Sequence, residues 1–168
     1  MTFDPTEYWN THQPPVYPAH REQEAAIQRV LDDLPYESAL EVGCGNGRIT
    51  NILRQPVTVM DISERVYATA ERTGATPIHS SLQDFTTDER WDLVIAVEVL
   101  MHIPPSDIEA ACDKLRSMAK RWVVTCDWTQ PLGKPTGEHN WLHDYRALLR
   151  PTREVPVGRQ TIFITETA

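Results

Sequence analysis

Three alternating glycines, Gly43, Gly45 and Gly47, interrupt an apolar run at Leu40-Glu41-Val42, and apolar residues resume at Ile49, Ile52 and Leu53. The spacing predicts a strand, a tight turn and a short helix that stops before Pro56. A turn so free of side chains lets a small polar ligand lie against the main chain, and the helix after it offers unpaired N–H groups. A dinucleotide fingerprint, G-x-G-x-x-G, would place its third glycine at position 48, where this chain has Arg48, and this argues against NAD or FAD. Glu41 lies two residues before the first glycine, and Asp61 ends the next apolar run, Val57-Thr58-Val59-Met60. A carboxylate at the tip of that second strand is placed to accept hydrogen bonds from a ribose diol.

A second set of polar residues falls where later strands should end. Glu98 interrupts the nearly continuous apolar run Trp91 to Val99; a carboxylate there needs a partner, and strand ends of this kind are where doubly wound sheets bind ligands. His102, four residues on, is either a general base for a hydroxyl or amine acceptor or a histidine that stabilises the loop before Pro104. Asp127 and Trp128 close the fifth strand on the same edge, and His139, His143 and Tyr145 follow. His139 and His143 are four apart, so a helix from His139 to Leu149 would put them on one face. Asp127, His139 and His143 join His102 as candidate catalytic groups. The third ligand of a metal site is undefined and the pattern is not H-E-x-x-H, so no metal is expected.

The elements that must position these residues are as follows. Residues 1–18, with Tyr8, Trp9, Pro14, Pro15, Tyr17 and Pro18, read as a coil or at most a short turn. Its aromatic side chains require cover, so this arm either plugs the end of the sheet or forms a lid over the substrate. Residues 19–168 read as one domain. A helix from His20 to Leu34 carries an apolar stripe, with Arg21 in its first turn. Ser63 is placed to cap a helix running to Thr73, and Gly74 to end it. Ala75 to His79 is a third strand, and the segment from Leu82 to Arg90 is too short for a crossover helix. The strand Trp91 to Val99 is buried on both faces and implies a parallel sheet. A helix begins at Pro104 and Pro105 and runs to Met118; a fifth strand covers Trp122 to Cys126. A loop spans Pro131 to Gly137, and a hairpin turns at Gly158-Arg159. With right-handed crossovers the order gives one twisted sheet with helices on both faces.

These motifs resemble those of the small class I S-adenosylmethionine-dependent methyltransferases. Glu41-Val42-Gly43-Cys44-Gly45-Asn46-Gly47 matches the glycine motif of that family, Met60-Asp61-Ile62-Ser63 the acidic second-strand motif, Ser81-Leu82-Gln83-Asp84-Phe85 the adenine-side motif, and Trp91-Asp92-Leu93-Val94-Ile95-Ala96 the fourth strand. The resemblance implies a Rossmann-like, doubly wound α/β fold, with a mostly parallel seven-stranded sheet and an antiparallel C-terminal strand. It implies S-adenosylmethionine as cofactor and S-adenosylhomocysteine as product. Glu41 and the backbone of Gly43, Cys44, Gly45 and Gly47 would meet the methionine and ribose, and Asp61 the ribose hydroxyls. Ile62 and Phe85 would pack on adenine, Asp84 would accept from its amino group or serve only its own turn, and Glu98 would border the methionine. Arg21 would hold the cofactor carboxylate or else lie solvated. The acceptor would meet Tyr8, Trp9, Tyr17, His102, Trp128, His139 and Tyr145, an aromatic and polar set suited to a small organic or peptide-end acceptor. Nothing in the residues separates oxygen from nitrogen acceptors.

Composition bounds the partners. At 168 residues, 40% hydrophobic and 24% charged, the chain is long enough for one buried core. A net charge of −8 without a basic stripe disfavours nucleic acid, and size and acidity together disfavour the alternative of a protein or tRNA methyltransferase. No apolar stretch is long enough to span a bilayer, and the start lacks a signal-like pattern, so a cytoplasmic location is expected. Cys44, Cys112 and Cys126 read as reduced buried thiols. The missing helix between the third and fourth strands leaves a flank on which two copies could pair, and leaves open a non-catalytic module that binds the cofactor for a partner.

Overall fold

A computed structural model describes residues 4–12, 16–130 and 139–167. Pro14, Pro15 and the loop expected over Pro131 to Gly137 lie outside them. Seven strands, β1 (Ala39–Val42), β2 (Val57–Asp61), β3 (Thr76–His79), β4 (Trp91–Val97), β5 (Ala119–Trp128), β6 (Arg153–Val157) and β7 (Gln160–Glu166), form one sheet in the order β3-β2-β1-β4-β5-β7-β6. β1 to β5 pair in parallel, and β7 runs antiparallel to β5 and β6. The fold is therefore the doubly wound α/β sheet expected from the motifs. The chain proceeds outward from β1 through β2 to β3 and then returns to β4 on the other side of β1. That reversal opens a crevice at the carboxyl ends of β1 and β4.

Alternation along the strands builds a core on each face. Ala39, Val59 and Ile95 pack with Ala26, Ile27, Val30 and Leu31 of α2 (Pro18–Asp33) and with Val66 and Ala70 of α3 (Val66–Thr73). Leu40, Val94 and Ala96 point to the other face, against Ile108, Ala111, Cys112 and Leu115 of α4 (Ile108–Met118) and Leu149 of α5 (Tyr145–Leu149).

The structure differs from the sequence reading at several connections. The arm contains a helix, α1 (Pro5–Thr11), because Asp4 Oδ1 accepts from the N–H of Thr6 at 2.9 Å and Glu7 at 3.2 Å while Pro5 fills the first helical position. The helix after the glycines is a single 3-10 turn, Thr50–Ile52. Ser63 does not cap α3: it lies three residues ahead, where its Oγ accepts from Arg65 N–H at 3.3 Å. α4 starts at Ile108 rather than at the two prolines, after a turn closed by the N–H groups of Asp107 and Ile108 on the Pro104 carbonyl. Residues 139–144 are not helical. Trp141 N–H bonds the Met101 carbonyl at 2.8 Å, and α5 begins only where Asp144 accepts from Ala147 N–H at 3.1 Å.

Candidate active site

The crevice opens into a cavity of about 1600 Å³. Its floor is the turn between β1 and the 3-10 turn that follows. Gly43, Gly45 and Gly47 all have positive φ there, and two of them differ in what a side chain would meet. A Cβ on Gly43 would come within 2.4 Å of Val99 Cγ2, whereas one on Gly45 would project into open space. Asp61, at the tip of β2, ties the turn down: its Oδ2 accepts from Gly45 N–H at 2.8 Å and its Oδ1 from Ser63 N–H at 2.9 Å. Each oxygen keeps a further lone pair for a ligand. Ile62, Ser81 and Asp84 continue this wall. The hydroxyl of Ser81 donates to Asp84 Oδ2 at 2.6 Å and accepts from Asp84 N–H at 3.0 Å, so Asp84 closes its own turn at the edge of the cavity.

Opposite Asp61, Glu98 follows β4 with φ 58°, a left-handed backbone uncommon for a non-glycine residue and costly unless the surroundings enforce it. They do. Gln160 Nε2 donates to Glu98 Oε1 at 2.6 Å, Arg48 Nη2 donates to Oε2 at 3.1 Å, and His20 Nε2 lies 3.6 Å from the same oxygen. Arg48 also reaches Glu24 Oε1 at 3.3 Å, and Gln23 Nε2 donates to Gln160 Oε1 at 2.6 Å. The carboxylate that the sequence leaves in need of a partner thus has several.

The third wall is imidazole and aromatic. His102 ends the 3-10 turn Leu100–His102, and its Nδ1 lies 3.2 Å from the His139 carbonyl. Donation to that carbonyl fixes the neutral tautomer with its lone pair on Nε2. Burial holds the His102 pKa below the ordinary histidine value, partly offset by the His139 carbonyl. The rings of Trp9 and His102 are 4.8 Å apart, those of Tyr8 and His139 4.6 Å, and those of His102 and His139 5.8 Å. Trp128 and Tyr17 also line the cavity.

Comparison with known proteins bears on this geometry. A family described as a methyltransferase domain matches residues 39–121, the stretch that holds β1 to β4, the glycine turn and Asp61. Residues 39–121 are a methyltransferase domain. Nodulation protein S of Rhizobium tropici is 34% identical over 77 residues, a match that covers 41% of this chain and 32% of that protein. The aligned part is therefore about a third of the length of that curated relative. The fold extends further. A magnesium protoporphyrin IX methyltransferase from Synechocystis, solved with S-adenosylhomocysteine, superposes with a TM-score of 0.79 at 20% identity over 97% of this chain and 98% of its own. The N-methyltransferase NodS of Bradyrhizobium japonicum, also with S-adenosylhomocysteine, gives 0.79 at 19% identity, covering 96% of each chain.

Several residues singled out from the sequence lie elsewhere in this methyltransferase fold. Arg21 is exposed and off the cavity, since it points away from the stripe of α2 that carries His20, Gln23 and Glu24; the arginine beside Glu98 is Arg48. Phe85 is not on the wall either: its side chain is partly buried and packs against the core on the α4 face of the sheet. Tyr145 is buried beside Phe163, with ring centroids 5.6 Å apart, and is no part of an acceptor pocket. His143 is turned away, with Nε2 3.0 Å from the Ile103 carbonyl; without a helix over 139–144, it shares no face with His139. Asp127 is fully buried beneath the wall and off the cavity. Its Oδ1 accepts from Met101 N–H at 3.2 Å, with Val99 and Leu100 N–H also turned to it, so it holds the turn that carries His102. Burial raises its pKa well above the usual carboxylate range. Cys44 is buried in the turn, its thiol pushed up by the same cause. Glu41 is bound by Thr50 Oγ1 at 2.5 Å. The residues that sequence reasoning missed are Arg48, His20, Gln23 and Gln160. A signal existed for the α2 residues: His20, Gln23 and Glu24 extend the stripe of Ile27 and Leu31 at helical spacing, polar where a core face should be apolar.

Proposed function

We propose that the chain is an S-adenosylmethionine-dependent methyltransferase that acts on an oxygen or nitrogen of a small organic acceptor and releases S-adenosylhomocysteine. The observation that carries this reading is the floor of the cavity, a turn where a Cβ at Gly45 would enter the ligand space while Asp61 fixes that residue's amide and keeps lone pairs for two hydroxyls. The residues present fit an adenosyl group: Asp61 for the ribose, Ile62 and Asp84 for the base, and the backbone from Gly43 to Gly45 with Glu98 for the amino-acid end. When bound, the cofactor supplies an electrophilic methyl carbon for an in-line displacement.

The rest falls to this chain. His102, neutral by burial, holds a lone pair for the acceptor's proton. Trp9, Tyr8, Trp128 and His139 enclose the acceptor and keep water away from the displacement. The solved relatives support a small acceptor, one being named for magnesium protoporphyrin IX and another, at 17% identity, for 1,6-didemethyltoxoflavin. The acceptor pocket uses residues 1–18 as an arm over a domain formed by 19–168. Three buried free cysteines support a reducing cytoplasmic setting, and the exposed edge strand β3 supports pairing of two copies.

Calorimetric titration with S-adenosylhomocysteine tests the reading. Wild type should bind in the micromolar class and Asp61→Ala about tenfold or more weaker, since hydrogen bonds to a charged acceptor contribute about 1.5–3 kcal/mol. Equal affinity of the two proteins rejects Asp61 as the ribose ligand. Saturable binding with no turnover across a broad acceptor panel rejects the enzyme in favour of a cofactor-binding module.

A further inference from the structure

α1 buries none of its residues, and at seven residues it is too short to be stable alone. Contacts outside it must keep it in place. One set is the ring packing of Tyr8 on His139 and Trp9 on His102. The other is at the far end of the helix and involves the corner between β2 and α3. Arg65 Nη2 donates to the Asn10 carbonyl at 2.9 Å and Nη1 to the His12 carbonyl at 3.2 Å. Beside them, Glu64 N–H donates to Asn10 Oδ1 at 3.1 Å. The last carbonyls of a helix lack partners within it and carry the negative end of its dipole, so a forked guanidinium is well suited to hold them.

Arg65 is also continuous with the floor. Gly45 N–H and Ser63 N–H share the Asp61 carboxylate, and Ser63 Oγ accepts from Arg65 N–H. Hydrogen bonds thus run from the glycine turn through Asp61 and Ser63 to the Arg65 main chain, and from the Arg65 guanidinium to the end of α1, whose rings pack on His102 and His139. We propose that Arg65 is the latch that closes α1 over the cavity, a positioning residue through which the adenosyl side of the site sets the acceptor side. The latch itself follows from these contacts alone; its effect on turnover rests on the methyltransferase reading above. Asp61 anchored by a ligand fixes the corner, the corner fixes Arg65, and the arm closes.

Millisecond hydrogen exchange on the full chain tests this, with and without S-adenosylhomocysteine, in wild type, Arg65→Ala and Asn10→Ala. In the absence of ligand, residues 5–12 should exchange at least tenfold faster in Arg65→Ala and severalfold faster in Asn10→Ala, with β5 protected equally in all three. Ligand should slow exchange of 5–12 in wild type and not in Arg65→Ala. Turnover of Arg65→Ala should fall at least tenfold while its affinity for S-adenosylhomocysteine stays within threefold. Equal exchange of 5–12 in wild type and Arg65→Ala overturns the latch. If Arg65→Ala also loses protection in β5, Arg65→Lys decides, because it keeps the charge and the stem but not the fork that holds the Asn10 and His12 carbonyls: unchanged exchange of 5–12 there overturns the proposal and faster exchange supports it. Failure of wild type to bind S-adenosylhomocysteine would reject the methyltransferase reading, and the ligand-free comparison would still decide the latch.

Discussion

Glu41 shows how one residue in the floor couples the site to stability. Its side chain is 3% exposed in the centre of the sheet, and burial raises its pKa from 4.5 to about 8, more than the Thr50 hydrogen bond and nearby Arg48 lower it, with Asp61 raising it further. Between those values the folded protein keeps a proton that the unfolded chain has released. Stability therefore falls with rising pH across that window, by up to about 1.4 kcal/mol per unit from this group alone, and levels off above pH 8. Glu41→Gln keeps an oxygen to accept from Thr50 and removes the titration. Urea unfolding at pH 5, 6 and 7 should show the variant gaining on wild type at each step, by about 1 kcal/mol per unit. A constant gap between the two proteins would mean that Glu41 is ionised in the folded state. The same scale explains what could be read of the site from sequence. Gly43, Gly45, Asp61, Glu98 and His102 are legible because a turn or strand end dictates where such residues point. Arg48 and Gln160 are not, because their roles come from contacts between residues 50 and 62 positions apart.

At the scale of elements, the turn between β1 and Thr50–Ile52 makes two separable demands on its glycines. Gly43 lies against the chain itself: a methyl there meets Val99 Cγ2 at 2.4 Å and the backbone is left-handed, φ 72°. Gly45 has φ 49° and open space. Gly43→Ala should therefore lose stability on the order of 2–3 kcal/mol, from overpacking and backbone strain together. Gly45→Ala should lose only about 1–2 kcal/mol, the backbone share. For ligand binding the order reverses at Gly45, whose new methyl would occupy space the adenosyl group needs, so its affinity for S-adenosylhomocysteine should fall far more than its stability. Melting curves and calorimetry on both variants check this; equal loss of affinity per unit of lost stability in the two would show that neither methyl touches the ligand. Strands were the more legible elements, since β1, β2, β4 and β7 are short apolar runs with sharp ends. Helix limits were less so. Pro104 and Pro105 read as a helix start, but the helix waits for Ile108, and the period at His139 and His143 describes a segment held by Trp141 N–H on Met101 instead.

At the scale of the whole molecule, the sheet and its two cores are complete without the arm. Every strand, α2, α3, α4 and α5 pack on one another through residues after 22, and α1 adds no buried side chain to either core. The arm instead closes the cavity: Tyr8 and Trp9 reach His139 and His102 on one side, and Arg65 grips Asn10 and His12 on the other. Folding and acceptor binding should therefore separate. Among the described residues, a chain lacking residues 1–12 forgoes exposed hydrogen bonds to Glu64 and Arg65 and the ring packing on His102 and His139, a loss on the order of 1 kcal/mol, or a Tm lower by about 2–4 °C for a chain of this size. It should still bind S-adenosylhomocysteine, because Asp61, Gly45 and Glu98 are untouched. Turnover should fall by orders of magnitude, because water reaches the methyl group and His102 loses the ring that buries it. His102 should also titrate at higher pH than in wild type, since burial is the main cause that lowers it, and loss of Trp9 and Tyr8 hydrates the imidazole while Glu98, His139 and Asn140 remain beside it. An NMR titration of the His102 ring reads that shift without substrate. An unshifted ring in the truncated chain, with cofactor affinity retained, would show that β4, β5 and residues 139–144 bury His102 by themselves, and the arm would then have no part in setting its proton affinity.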